Sequence, residues 1–366
     1  MKHNIKRILS LALSVVLTLS LFTGCKSEPE QKKFNGTIWD SFDTIISVVS
    51  FNESQEEFDA LMLTAQERYR YYHKLFDIYN DYPDMVNAKT INDNAGIQPV
   101  EVEKELFDLI KFSMEWYEKS GGKVNIAMGS VLKIWHDVRS YAEYNVPAIL
   151  PDMADLEEAN NYTSIENIVL DEENMTVYIT DPNTSLDLGA IAKGYATELI
   201  CDELGEKYSN FAISAGGNVK VNGHPQDGRT RWGIGIQNPV VDENYQMIGG
   251  NLDLAFLYGE LSLVCSGGYQ RFFVLDGQRY HHLIDPDTLF PKNTYDGVSI
   301  LCEDSGMADA LSTAIFMMEP DEAIAFIDTI PDAECILVTE DGETFMTEGF
   351  KAYLQSFGVT SGTPTE

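Results

Sequence analysis

The chain has 366 residues, with 58 Asp and Glu against 25 Lys and Arg, and a formal net charge of -33. So acidic a chain argues against nucleic acid as a partner and against electrostatic adhesion to anionic lipid. A polyanionic ligand would need local cations or helix dipoles to bind it.

Residues 1–24 read as an export signal. Lys2, Lys6 and Arg7 form a basic start, and no acidic residue precedes Cys25. The apolar run from Ile8 to Phe22 is short for a membrane span and ends in Leu21-Phe22-Thr23-Gly24-Cys25, a lipobox-like pattern. Cys25 is therefore expected to carry a lipid anchor, followed by a polar linker over residues 25–33. Thr44 to Phe51 is β-branched and apolar, a strand. Ser54 to Phe76 reads as a long helix with Ser54 and Glu57 as a capping box. Residues 77–99 read as loop, 102–119 as a helix, 128–138 as a short helix, 146–151 as a connection and 152–160 as another helix.

From Asn167 the pattern turns to strands: 168–170 and 176–180, then a helix from Ala190 to Tyr208. Further strands are expected at 211–214 and 219–221 around the turn Ala215-Gly216-Gly217-Asn218, then at 232–237, 252–257, 261–265, 272–275, 281–284 and 298–301. Helices follow at 305–318 and 320–327, strands at 335–338 and 344–346, and residues 358–366 read as a disordered tail. Strands clustered between helices indicate an α+β fold with one extended sheet region. Cys201, Cys265, Cys302 and Cys335 form no CxxC pair and lie in apolar contexts, which reads as buried free thiols rather than a disulfide framework or a zinc site.

Two segments carry the strongest chemical signal. In Asp187-Leu188-Gly189-Ala190-Ile191-Ala192-Lys193-Gly194, an acid closes a strand and small residues open a helix. Free N–H groups and a partial positive charge at a helix start suit a phosphate. Lys193 can reach a phosphate or pair with Asp187, and Gly194 leaves room for close backbone packing. In Ala308-Asp309-Ala310-Leu311-Ser312-Thr313, Asp309 and Thr313 are four apart, so both oxygens share one helix face. That pair can ligate Mg²⁺ or Ca²⁺ if a carbonyl and phosphate oxygens complete the shell; the alternative is a first-turn Asp and a Thr bonded to its own helix. His281 and His282 adjoin on a strand, so at most one faces a site. Ser266 to Arg271 is either a Gly-rich hairpin or a ligand contact. Asn125 to Ser130 enters a helix with small residues, and Phe76 to Asp81 is an aromatic loop able to stack on a planar ring.

Taken in order, the lipobox, Phe42-Asp43-Thr44, Tyr79-Asn80, Met128-Gly129, Asp187-Leu188-Gly189 with Ala192 to Ala196, Ala215 to Asn218, Ser266 to Tyr269, His282 to Pro286 and Ala308 to Ala314 resemble the ApbE family of FAD:protein FMN transferases. The resemblance runs from about Phe34 to Phe357. It implies one large domain, residues 34–357, with a mixed sheet region flanked by helices. It implies a Mg²⁺-dependent enzyme that takes FAD as substrate, releases AMP and leaves FMN esterified to a Thr or Ser of an exported acceptor protein. Carried over residue by residue, the metal falls to Ala190, Asp309 and Thr313. FAD contacts fall to Phe42, Tyr79, Ala127, Met128, Gly129, Asp187, Lys193 and Leu283, and proton transfer to His282, with Asp285 beside it. The implied location is the extracytoplasmic face of the cell membrane, through the lipid at Cys25. Rival readings are a FAD pyrophosphatase and a flavin-binding lipoprotein without chemistry. Two departures stand out: Phe42-Asp43-Thr44 where many members carry Met-Gly-Thr, and Leu289 where a Gly follows Asp-Pro-x-Thr, which predicts a turn of another shape.

Overall fold

The computed structural model describes residues 30–143, 149–242, 245–269 and 271–362. The expected export signal, Cys25, the first half of the 146–151 connection and the end of the expected tail lie outside the described residues. In chain order come β1 (Lys32–Ser41), β2 (Thr44–Asn52), α1 (Gln55–Leu75), α2 (Ala88–Asp93), β3 (Val100–Glu101), α3 (Lys104–Lys119), α4 (Gly129–Glu143) and α5 (Met153–Asn160). Next are β4 (Ile168–Asp171), β5 (Thr176–Ile179), α6 (Ala192–Gly205), β6 (Phe211–Ala215), β7 (Asn218–Asn222), β8 (Trp232–Gln237), β9 (Asn251–Leu257) and β10 (Ser262–Gly267). The chain closes with β11 (Phe272–Leu275), β12 (Gln278–His281), β13 (Tyr295–Cys302), α7 (Ser305–Phe316), α8 (Pro320–Ile327), β14 (Glu334–Thr339) and β15 (Thr344–Met346).

Eight strands form one antiparallel sheet in the order β1-β2-β6-β7-β10-β13-β14-β15. Both faces are covered, so apolar side chains alternate between two cores. In β13, Val298, Ile300 and Cys302 enter one core and Leu301 the other; in β14, Cys335 and Leu337 oppose Ile336. Helices α1, α6, α7 and α8 lie over the first face. The β8–β9 ribbon and the one-turn helices at Gly349–Tyr353 and Gln355–Phe357 close the second, with Trp232, Leu257, Phe350 and Leu354 buried there. A smaller core joins α4 and α5 to the β11–β12 ribbon through Val131, Trp135, Leu156, Phe273 and Tyr280. This is the α+β architecture expected of the pattern.

Several local expectations shift. β1 begins at Lys32, inside the span expected as linker, because its backbone pairs with β2 from Lys32 onward. Helix α2 lies in the expected loop, capped by a reciprocal Asn87–Thr90 box that one turn of sequence signals only weakly. The helix expected from Ala190 begins at Ala192, since Leu188 to Ile191 form a turn in which the Leu188 carbonyl accepts from the Ile191 and Ala192 N–H groups. The strand expected over 281–284 ends at His281, because the Leu283 N–H folds back onto His281 Nδ1 at 3.1 Å.

Candidate active site

The site is built where α6 crosses α7. A Cβ added at Gly194 would lie 2.5 Å from Asp309 Cβ and inside the contact distance of the Ser305 carbonyl oxygen, so only glycine lets the two helices touch here. That contact has a purpose in the hydrogen bonding. The N-cap of α6, Ile191, offers no side-chain acceptor, and the Gly194 N–H donates instead to Asp309 Oδ2 at 2.8 Å. Asp309 thus caps a helix other than its own. The carboxylate is only 4% exposed. Burial pushes its pKa above the ordinary value, while Lys193, the Gly194 N–H and Asn218 hold it down.

One turn beyond Asp309, the Thr313 hydroxyl donates to the Ala190 carbonyl oxygen at 3.5 Å. It is Ser312, not Thr313, that bonds back to its own helix, donating to the Asp309 carbonyl at 2.8 Å. The start of α6 therefore meets the middle of α7, and Ala190, Asp309 and Thr313 bring three hard oxygens together with a single charge among them. This donor set fits Mg²⁺, which takes oxygen ligands and keeps the rest of its octahedron for water and substrate phosphates. Among the described residues no cluster of three His, Cys, Asp or Glu side chains could hold a metal ion, so any cation here would draw much of its ligation from substrate.

Lys193 lies in the first turn of α6 and donates to Asn218 Oδ1 at 3.3 Å. Asp187 takes another partner: its Oδ1 accepts from the Gly189 N–H at 2.8 Å, bending the chain before the helix. Burial raises the Asp187 pKa, against the pull of Gly189 and of His136 and Arg139 from α4. The segment holding Ala127, Met128 and Gly129 runs beside Ser185 to Asp187: the Gly129 N–H donates to Ser185 O at 3.1 Å and the Asp187 N–H to Ile126 O at 2.8 Å. The Ala127 and Met128 side chains are buried in the core, so this segment lines a site with backbone rather than side chains.

Tyr79 is 58% exposed and its ring stacks on His136 with centroids 5.2 Å apart. Asp77 fixes that loop by accepting from the Tyr79 and Asn80 N–H groups at 2.6 and 3.1 Å and from the Tyr82 hydroxyl at 2.8 Å. Phe42 and Asp43 form the two-residue tip of the β1–β2 hairpin with φ of 54° and 49°. Both left-handed angles make this a type I′ turn, in which a Gly at Asp43 would be unstrained. The Phe42 ring packs edge-on against Tyr69 and His73.

His281 and His282 separate as expected. His281 is sealed in: Nδ1 accepts from the Leu283 N–H and Nε2 donates to the Lys292 carbonyl at 3.1 Å. His282 is half-buried, and its Nδ1 has no hydrogen-bond partner. Burial pushes its pKa down to about 3, reinforced by His281, Arg139 and Arg271. An anion brought beside it would raise that value. Leu283 is buried, and Asp285 is occupied by its turn: Oδ1 accepts from the Asp287 N–H at 2.9 Å and Oδ2 lies 3.7 Å from the Lys292 ammonium. Leu289 adopts φ 62°, the left-handed backbone that favours Gly. The strain is offset by burial of its side chain and by the Trp135 Nε1–H bond to its carbonyl at 2.8 Å. Sequence reading gives no role to His136 and Arg139, whose partners lie far away in sequence, and none to Asp77 and Asn218 individually, although the Phe76 to Asp81 loop and the Ala215 to Asn218 turn are marked.

The fold and site define an α+β protein whose helix crossing gathers hard oxygens, a lysine and a helix start around a place suited to a phosphate ester. A sequence profile of the ApbE family matches residues 42–337, and the chain belongs to that family. It is 30% identical over 282 residues to a FAD:protein FMN transferase of Klebsiella pneumoniae, covering 75% of this chain and 83% of that one. It is 32% identical over 265 residues to the FAD:protein FMN transferase of Treponema pallidum, covering 69% and 70%. The crystal structure of the ApbE protein from Thermotoga maritima superimposes with a TM-score of 0.75 at 28% identity, covering 88% of this chain and 99% of that one. The flavin transferase ApbE from Vibrio cholerae shares the fold, with a TM-score of 0.74 at 21% identity over 89% and 99%.

Proposed function

We propose that this protein transfers FMN from FAD to a Thr or Ser hydroxyl of an exported acceptor protein, releasing AMP, with Mg²⁺ as its metal. The observation that carries the reading is the convergence of the Ala190 carbonyl, Asp309 and Thr313 beside Lys193, in a chain of the ApbE family whose curated relatives are named FAD:protein FMN transferases. The acceptor hydroxyl oxygen attacks the phosphorus of the FMN half. As the new P–O ester bond forms, the bond from that phosphorus to the bridging oxygen breaks, and AMP leaves with that oxygen. Phosphoryl-type transfer asks mainly for positioning and charge neutralisation. Ala190, Asp309 and Thr313 would hold Mg²⁺, which when bound would supply charge neutralisation and a template for the diphosphate.

The chain's own residues do the rest. Lys193 and the start of α6 offset the repulsion between a chain of net charge -33 and an anionic substrate. Tyr79, Phe42, Leu283 and the backbone of Ala127 to Gly129 line the flavin's place, and Asp187 shapes the turn into α6. His282 takes the hydroxyl proton on Nδ1, its basicity raised by the phosphate it faces, while Asp285 holds the turn behind it. Export by residues 1–24 and lipidation of Cys25 put the domain on the extracytoplasmic face of the membrane, a reading supported by the basic, apolar and small-residue order before that cysteine.

Incubation with FAD, Mg²⁺ and a candidate acceptor tests the proposal. Flavin fluorescence retained by the denatured acceptor, with an FMN-sized mass gain on Thr or Ser, is the expected result. Free FMN alone would make the protein a pyrophosphatase, and uncleaved FAD would make it a binding protein.

A further inference from the structure

Strand β7 presents two polar side chains, Asn218 and Lys220, toward the helices, while Val219 and Val221 turn to the opposite core. Lys220 is fully engaged: its ammonium donates to Glu198 Oε1 at 2.7 Å and to the Glu303 carbonyl at 2.8 Å. Asn218 is not. It is 1% exposed, and its Oδ1 accepts from Lys193 Nζ at 3.3 Å, but its buried Nδ2, which faces the Asp309 carboxylate, makes no hydrogen bond of ordinary geometry. A buried donor left without a well-formed bond is costly and rare in a folded protein, and its usual explanation is a missing ligand or solvent atom. Strand pairing does not require the amide, since the backbone of Asn218 pairs with Ala215 and Val264 whatever the side chain.

The backbone around Asn218 is fixed. Gly216 and Gly217 make the turn before it with φ of 57° and 99°, and Gly216 sits against Thr44 too closely for any side chain. On the other flank the Cys265 N–H donates to the Gly217 carbonyl at 3.0 Å. The amide, its Nδ2 short of a well-formed bond, therefore stands at a set position beside Lys193 and Asp309, the two charged groups of the proposed site.

We infer that Asn218 is a substrate-binding residue: Oδ1 aims the Lys193 ammonium and Nδ2 donates to a phosphate oxygen of the dinucleotide. The inference rests on the flavin-transfer reading above and adds a residue to it. A neutral donor next to an ammonium and a helix start selects an anion, and in this site the anion is the diphosphate rather than the flavin ring.

The test uses Asn218→Ala and Asn218→Asp with FAD, ADP and riboflavin as probes in the presence of Mg²⁺, read by flavin fluorescence or calorimetry. Loss of one hydrogen bond to a charged group predicts FAD and ADP affinities about tenfold weaker in Asn218→Ala, with riboflavin affinity unchanged. Asn218→Asp keeps the volume and the acceptor for Lys193, removes the donor and adds a negative charge, so it weakens FAD and ADP at least as much. It carries the test if the alanine variant does not fold. FAD and ADP affinities within about twofold of wild type in the folded variants overturn the inference, and a lowered melting temperature alongside them marks Asn218 as structural. Wild-type protein that binds neither FAD nor ADP would remove the functional reading and this inference together.

Discussion

Gly194→Ala isolates the contact on which the site depends. The added methyl carbon would stand 2.5 Å from Asp309 Cβ and would also overlap the Ser305 carbonyl oxygen. Carbon atoms rest at about 3.5–4.0 Å, so α6 and α7 must part by about 1 Å or the two backbones must twist. Such overpacking costs about 1–3 kcal/mol, while the better helix propensity of Ala returns up to about 1 kcal/mol. The net loss of about 1–2 kcal/mol predicts a melting temperature lower by a few degrees, with the protein still folded. The effect on turnover is larger. Separating the helices pulls Asp309 from the Gly194 N–H and Thr313 from Ala190, and a misplacement of about 1 Å at a positioned group can cost about 100-fold in rate. Gly205→Ala in the same helix is the control, because a Cβ there meets only Asn222 Nδ2 at an ordinary 3.5 Å. That variant should match wild type in turnover. The assay pairs FMN transfer to the acceptor with thermal melting. Wild-type turnover in Gly194→Ala would refute the claim that the helix contact sets the site.

Asp309→Asn preserves an acceptor for Gly194 but removes the only charge among the three oxygens, so metal-dependent turnover should fall at least about 100-fold with the circular dichroism spectrum intact. Lys193→Ala should weaken FAD binding about tenfold with a smaller effect on melting temperature; unchanged affinity would leave Lys193 only its bond to Asn218. His281 predicts a pH dependence. Burial pushes its pKa down to about 4 from an unfolded value of about 6.5, so below pH 6.5 the unfolded chain binds a proton that the folded one refuses. Stability from this group is present above pH 6.5 and is lost as pH falls toward 4, by up to about 3 kcal/mol. Urea unfolding at pH 7 and pH 4.5 should show a smaller difference in His281→Asn than in wild type.

Much of the fold was legible because its signals are local. Apolar and β-branched runs marked β2, β6, β10, β13 and β14, and apolar residues at helical spacing marked α1 and α3, whose buried faces repeat over several turns. Short elements escaped. Helix α2 has six residues and is held by a cap, and β1 is a partly exposed edge strand whose polar residues resemble a linker. Leu289 and Phe42 hold left-handed backbone that propensity assigns to Gly, which packing and a hairpin override.

The sequence by itself determined the chemical vocabulary: a carboxylate and a hydroxyl four apart on one helix, a lysine in the first turn of another, and a glycine beside that lysine. Within a helix a spacing of four puts Asp309 and Thr313 on one face, whatever that helix packs against. Only the tertiary structure decided that this face meets Ala190 across more than a hundred residues of chain, that Lys193 turns to Asn218 and not to Asp187, and that Asp309 caps a helix it does not belong to. Those pairings depend on how closely two backbones pack, and no local periodicity encodes the distance between them.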